Sequence, residues 1–146
     1  MPRFMGMMNR VARCLATYRS RCFDGDLKSG HHSIALALCR HPGCTQDTLA
    51  ELVCLDKSTI TRALTTMENG GYITRTPNPA DKRELLVEPT EKLKDVLPQL
   101  KQIMNDWHTG LSKDISEEEM LAFTETLRRI EKNARDIVRN TEVSSS

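Results

Sequence analysis

Asp56 to Tyr72, DKSTITRALTTMENGGY, is the stretch on which the reading of the whole chain turns. At about 100° per residue, Ile60, Ala63, Leu64 and Met67 share roughly a quarter of a helix circumference. Ser58, Thr61, Arg62, Thr65, Thr66 and Asn69 take the opposite side. A solvated helix face ordinarily carries long Lys and Glu side chains. This one carries short polar groups and a single Arg, so a partner's backbone can approach closely, and such groups suit phosphates and base edges. Asp56 is placed to cap the helix start, and Asn69-Gly70-Gly71 to stop it in a left-handed turn.

Immediately upstream, TQDTLAELV (Thr45 to Val53) has the pattern of a second short amphipathic helix, with Thr45 as its cap and Leu49, Ala50, Leu52 and Val53 inward. Only Cys54-Leu55 separates the two. Two short helices so tightly joined, the second with a small polar outer face, make a helix-turn-helix. Downstream, the β-prone Tyr72 to Thr76, the turn formers Pro77-Asn78-Pro79-Ala80-Asp81 and the extended Glu84 to Glu88 form a hairpin directly after the second helix, which is a wing.

These segments carry a family resemblance. Asp81-Lys82-Arg83-Glu84-Leu85-Leu86-Val87-Glu88-Pro89-Thr90 resembles the D-x-R…LT wing of the multiple-antibiotic-resistance regulator (MarR) family. The T-Q-x-x-L-A of Thr45, Gln46, Leu49 and Ala50, and the S-T-I-T-R…M-E-x-x-G-Y-I of Ser58 to Ile73, match the same family in the same order. The likeness is close over residues 45–92 and extends to the flanks in helix pattern only. It implies a two-fold dimer with interlocking terminal helices, and a small aromatic or phenolic effector in a crevice between dimer helices and DNA-binding lobe. Tyr18, His31, Met67 and Trp107 are the candidates to line that crevice. The D-x-R pair implies that Asp81 positions the wing tip while Arg83 contacts DNA. Two departures, Pro89 for the leucine of the L-T pair and Leu93 for a frequent glycine, remove a strand donor and a flexible joint and imply a stiffer wing base.

The 146 residues suit one domain, and 38% hydrophobic content allows a modest core. The formal charge of +1 does not by itself argue for nucleic acid. Basic character is local: Lys57, Arg62, Arg75, Lys82 and Arg83 stand against Asp56, Glu68 and Asp81. Two such surfaces acting together are then needed to hold DNA. No apolar run approaches the roughly 18 residues of a membrane span. No signal-peptide core is seen at the N-terminus. The expectation is a cytoplasmic protein without membrane contact. The five cysteines, Cys14, Cys22, Cys39, Cys44 and Cys54, lack CxxC spacing, and an odd number argues against a disulfide framework.

On the flanks, Gly6 to Phe23 reads as a helix with Met7, Met8, Val11, Cys14, Leu15, Tyr18 and Cys22 on one stripe. A second helix opens at Ser29 or Gly30 and ends at His41-Pro42-Gly43. After Thr90 a long helix keeps its stripe through Pro98, so a kinked helix is expected rather than two. Ser116-Glu117-Glu118-Glu119 is a capping box opening a last helix that frays into the polar tail Thr141 to Ser146. Stripes at both chain ends exceed what one small lobe can bury, so a second copy should cover them. The expected fold is mainly α with a small β-hairpin: a winged helix-turn-helix flanked by N- and C-terminal dimerisation helices. Its division is 1–30 (dimerisation helix and linker), 31–90 (DNA-binding lobe) and 91–146 (dimerisation helices and tail).

Enzyme chemistry finds no support in the sequence: there is no phosphate-cradling glycine loop, H-E-x-x-H or G-x-S-x-G. His31 and His32 diverge on a helix, and Cys39, His41 and Cys44 match no common zinc frame, so no metal or cofactor is expected. Cys44, beside a helix start, is a candidate low-pKa thiol sensor. The competing reading makes Cys14, Cys39 and Cys54 small buried hydrophobes. The functional expectation is a homodimeric transcriptional regulator, a repressor relieved by a small molecule, on a pseudo-palindromic double-stranded operator. Its half-sites should lie one turn, about 34–36 Å, apart. Its expected DNA contacts are Thr45, Gln46, Lys57, Ser58, Thr59, Thr61, Arg62, Thr65, Arg75, Lys82 and Arg83. A winged-helix protein-interaction module and a thiol-based redox regulator are the alternatives.

Overall fold

Both ends of the helix Lys57–Asn69 (α4) are closed by local hydrogen bonds. At its start the Asp56 carboxylate accepts the Thr59 N–H at 2.7 Å and the hydroxyls of Ser58 and Thr59 at 2.8 Å each. These bonds, the Thr59 N–H foremost, hold the Asp56 pKa down to about 2. At its end the Gly71 N–H donates to the Glu68 carbonyl at 2.9 Å and the Tyr72 N–H to the Met67 carbonyl at 2.9 Å. This is the paired closure of a helix by a left-handed residue, Gly71 at φ +80°. The preceding helix Gln46–Val53 (α3) is capped by Thr45, whose side chain accepts the Thr48 N–H at 3.1 Å. Its end repeats the same closure, with Cys54 N–H to the Glu51 carbonyl and Leu55 N–H to the Ala50 carbonyl. Here the left-handed residue is Cys54 at φ 56°, a position where glycine is the usual choice. Leu52, expected inward, is 40% exposed, because α3 buries only Leu49 and Ala50 fully.

The computed structural model describes residues 3–144. In chain order the elements are α1 (Phe4–Cys22), a 3-10 turn (Ser29–His31), α2 (His32–Arg40), α3, α4, β1 (Ile73–Pro77), β2 (Leu85–Pro89), α5 (Glu91–Leu111) and α6 (Glu117–Val143). β1 and β2 pair antiparallel from Ile73 opposite Pro89 to Pro77 opposite Leu85. A β-contact absent from the sequence reading joins them: Thr45 bridges Leu86, while Gly43 and Cys44 exchange backbone hydrogen bonds with Val87. The wing is thereby attached to the segment that leads into α3. Pro89 costs no ladder bond in mid-strand because it is the last residue of β2. Thr90 N–H donates to the Tyr72 carbonyl, and the Thr90 hydroxyl to that of Gly71 at 2.7 Å. Leu93 is completely buried, so the wing base is packed where a glycine would leave it loose.

The chain divides between Trp107 and His108 into two compact units. In the first, Ile34, Leu38, Leu49, Ile60, Leu64 and Leu93 have no exposure and bring α2, α3, α4 and α5 onto one core. Burying each such side chain contributes about 1.5–3 kcal/mol. His32 belongs to this core: its Nε2 donates to the Leu27 carbonyl at 3.2 Å and its ring meets Phe23 edge-on at 4.9 Å. Burial lowers its pKa, only partly offset by that hydrogen bond. The unfolded chain therefore takes up a proton below about pH 6.5 that folded His32 resists. Urea denaturation is expected to show stability falling as pH drops through this range, with a shallower fall in His32→Asn. Equal slopes would remove His32 as the cause.

α5 is one helix through Pro98, as its stripe requires. In the second unit, α6 opens on a complete capping box: the Glu119 N–H donates to Ser116 Oγ at 3.1 Å, and the Ser116 N–H to Glu119 Oε2 at 2.8 Å. Thr141 to Val143, expected to fray, are helical, with Thr141 Oγ donating to the Val138 carbonyl at 2.6 Å. Ser145 and Ser146 of the expected tail lie outside the described residues. α6 buries no residue: Leu121, Phe123, Ile137 and Val138 are all more than half exposed. α1 likewise leaves Met5, Met7, Met8 and Val11 open.

Candidate nucleic-acid interface

The inward face of α4 is Ile60, Ala63, Leu64 and Met67, all buried, so the rest of its circumference is turned outward. Ser58, Thr61, Arg62, Thr65 and Thr66 are exposed there, as the periodicity predicts. The hydroxyls on this face are engaged within the chain. Thr61, Thr65 and Thr66 donate to the carbonyls of Lys57, Thr61 and Arg62 at 2.7, 2.8 and 3.1 Å, while Ser58 and Thr59 hold the Asp56 cap. Arg62 is different. Among the described residues its hydrogen bonding is a 3.5 Å approach to Thr59 Oγ1, with the Asp56 carboxylate near enough to feel its charge, which leaves most of the guanidinium for a partner. The Lys57 side chain is 83% exposed and lies 3.8 Å from Asp47, a solvated pair of little energetic weight.

Arg75, expected among the DNA contacts, is turned into the protein. Its side chain is 13% exposed and donates to Glu68 Oε1 and Thr65 Oγ1 at 3.1 Å each and to Gln46 Oε1 at 3.4 Å. The reason is strand parity: Ile73 faces the core, and Arg75, two residues on, lies on the same side of β1. Gln46 is committed with it, passing its amide N–H to Thr61 Oγ1 at 2.7 Å. Arg75, Gln46, Thr61, Thr65 and Glu68 thus form a polar clasp joining β1, α3 and α4. Hydrogen bonding from Arg75 is the main cause that holds the Glu68 carboxyl below its usual range.

At the wing tip, Asp81 accepts Arg83 N–H and Nε at 3.1 and 3.0 Å on one oxygen and the Arg83 terminal nitrogen at 3.1 Å on the other. The Arg83 side chain is nonetheless 90% exposed. The carboxylate therefore orients the guanidinium without covering it, and the mutual bond lowers the Asp81 pKa and raises that of Arg83. Lys82 is exposed beside them.

The four crevice candidates separate. Met67 is 1% exposed within the lobe core, where Leu49 and Leu64 also lie, and is closed to any ligand. Tyr18 and Trp107 pair with ring centroids 5.3 Å apart. His31 lines a cleft of about 400 Å³ together with Lys28, Leu55, Thr59, Arg62 and Thr66, on the flank of α4. Sequence reasoning had no signal for that cleft, since its walls come from α2's approach and from α4. Among the cysteines, Cys14 and Cys54 are exposed and not the buried hydrophobes expected, because α1 has no cover and Cys54 sits in the left-handed turn. Burial pushes the Cys39 and Cys44 thiols up, so Cys44 is not the low-pKa thiol its place before α3 had implied. No group of three or more His, Cys, Asp or Glu able to hold a metal occurs among the described residues. No helix there is long and apolar enough to cross a membrane.

Known proteins share this fold. The chain is 32% identical over 108 residues to the HTH-type transcriptional regulator SarZ of Staphylococcus saprophyticus, covering 71% of this chain and 74% of that one. It is 28% identical over 131 residues to the uncharacterized HTH-type transcriptional regulator YybA of Bacillus subtilis, covering 90% and 86%. Its fold superposes with a TM-score of 0.87 on a Listeria monocytogenes protein assigned to the MarR family and complexed with 26mer DNA, at 23% identity over 93% and 91% of the two chains. Residues 30–85, from the 3-10 turn to the start of β2, match the MarR family. The matched span takes in the helix pair and the wing through its tip, and the chain belongs to the MarR family of transcriptional regulators.

Proposed function

We propose that this chain is a dimeric, sequence-specific DNA-binding regulator, a cytoplasmic repressor with no catalytic activity whose hold on its operator is relieved by a small-molecule ligand. The observation that carries the reading is the pairing of an outward α4 face centred on the available Arg62 with an exposed, carboxylate-oriented Arg83 on the wing. Arg62, Lys57 and the small residues Ser58, Thr59, Thr61 and Thr65 enter the major groove, and Arg83 reaches the adjacent minor groove with Lys82 on the phosphates. The Listeria structure with 26mer DNA supports the same use of this fold. Residues 31–90 act as the DNA-binding lobe, and 1–30 with 91–146 as the dimerising part. Support for a dimer is the uncovered apolar surface of α1 and α6, which water would otherwise face. Sedimentation at micromolar concentration is expected to give twice the 16.6 kDa chain mass. A clean monomer with native circular dichroism defeats the dimer. The cleft beside His31 and Arg62 supports the ligand reading, since an aromatic occupant there would contact α4 itself.

A salt titration on duplex DNA tests the whole proposal, because a regulator loses affinity steeply as salt rises and a protein-interaction module does not bind. Within it, Arg83→Ala is expected to weaken binding to every sequence by a similar factor and to lower the salt slope by about one unit per subunit. Asp81→Ala is also expected to weaken binding, although it removes a negative charge. Its carboxylate holds the guanidinium in place through two hydrogen bonds and the Arg83 backbone N–H through a third. Tighter binding by Asp81→Ala, with unchanged circular dichroism, would show the wing acting through net charge alone.

A further inference from the structure

We propose that α4 reads thymine methyl groups through the methyls of Thr61 and Thr65, a specificity that rests on the DNA-binding reading above. The helix-turn-helix and the family place α4 as the recognition helix, and the hydrogen bonds on its face decide what it offers. Thr61 gives its hydroxyl proton to the Lys57 carbonyl at 2.7 Å and accepts from Gln46 at 2.7 Å. Thr65 gives its proton to the Thr61 carbonyl at 2.8 Å and accepts from Arg75 at 3.1 Å. Gln46 is held in this sense because Arg75 can only donate and therefore takes the amide oxygen. Both threonines are exposed. With each hydroxyl proton spent on its own helix and one acceptor site of each oxygen filled by a second donor, the methyl is the group on Cβ most open to a partner.

The base edges then sort by chemistry. Guanine O6 and N7, adenine N7 and thymine O4 need a donor, which neither hydroxyl has left. The thymine C5 methyl needs only apolar contact, and threonine methyls supply it. Arg62, between the two in sequence, spends one terminal nitrogen on the long approach to Thr59 and has its other donors to offer guanine. Thr61 and Thr65 are four residues apart, about 5–6 Å along one face, against a rise of about 3.4 Å per base pair. Their thymines should therefore lie one or two steps apart, next to the guanine that Arg62 reads.

The test starts from duplexes selected by the full-length protein from a randomised library, expected to carry thymines at such a spacing in each half-site. Re-synthesis with deoxyuridine in place of each thymidine should weaken wild-type binding about fourfold per contacted methyl, the factor corresponding to ~0.8 kcal/mol per buried carbon group. Thr65→Ser should lose the distinction at one position while binding the deoxyuridine duplex as the wild type does. Thr65→Val, which keeps a methyl and lacks the hydroxyl, should retain the distinction. Equal wild-type affinity for the two duplexes, with a steep salt dependence, would overturn the thymine reading and leave DNA binding standing. A Thr65→Ser protein that still distinguishes every position as the wild type does would overturn the role of Thr65. Recovery of no duplex even at low salt would overturn both readings.

Discussion

Arg62→Ala is expected to bind the cognate operator about ten- to a hundredfold more weakly, the range of about 1–3 kcal/mol that a base-reading arginine contributes, and to relax preference at one base position. The expectation follows from what the side chain does not do in the free protein. It is exposed, lies on the face opposite Leu64 and Met67, and its hydrogen bonding among the described residues is the long approach to Thr59. Its removal should leave the urea midpoint within about 0.5 kcal/mol of the wild type. Titrations on cognate and random duplexes at one salt concentration check both halves. An equal loss on the two duplexes would make Arg62 a phosphate contact instead.

Arg75→Ala should behave in the opposite way, losing stability first and binding as a consequence. The guanidinium ties β1 to Glu68 and Thr65 of α4 and to Gln46 of α3, while the backbone N–H of residue 75, which donates to Glu68 Oε2 at 3.0 Å, survives the substitution. Removing a mostly buried partner of a carboxylate costs about 3–5 kcal/mol when both are enclosed. The Glu68 side chain is 37% exposed, and water rehydrates part of it, so about 2–3 kcal/mol is the expected loss in urea denaturation. DNA binding should weaken on cognate and random duplexes alike, because the wing is no longer held against the recognition helix. Arg75→Lys should fall between, keeping the charge without the fork that reaches three partners. A wild-type urea midpoint for Arg75→Ala would show the clasp to be energetically idle.

The elements that were legible share a property: their signals are local. Asp56 three residues before the Thr59 N–H, Gly71 at the left-handed stop of α4, Ser116 with Glu119, and the apolar stripe of α4 all act within a few residues of chain. The end of α3 was legible only as a short link, because the residue in its left-handed turn is Cys54, and nothing in a cysteine announces that conformation. The apolar stripes of α1 and α6 were legible and stand largely exposed, whereas that of α5 is taken up by the lobe through Leu93, Leu100 and Ile103. The fate of Cys14 was not legible, since it depends on what covers α1.

In the candidate site the sequence by itself determined which residues are polar and on which side of α4 they stand, because helical period follows from covalent geometry. It also determined the Asp81–Arg83 pair, whose partners are two residues apart. Only the tertiary structure decided which of those groups remain available. Arg75 is engaged by Gln46, 29 residues away in the chain, and Gln46 by Thr61, 15 residues away. Thr45 bridges Leu86, and Met67 disappears into the core. Hydrogen-bonding capacity is a property of the atom, and so is written in the sequence. Whether that capacity is free for a partner depends on which distant segments are brought within about 3 Å of it, and packing sets that.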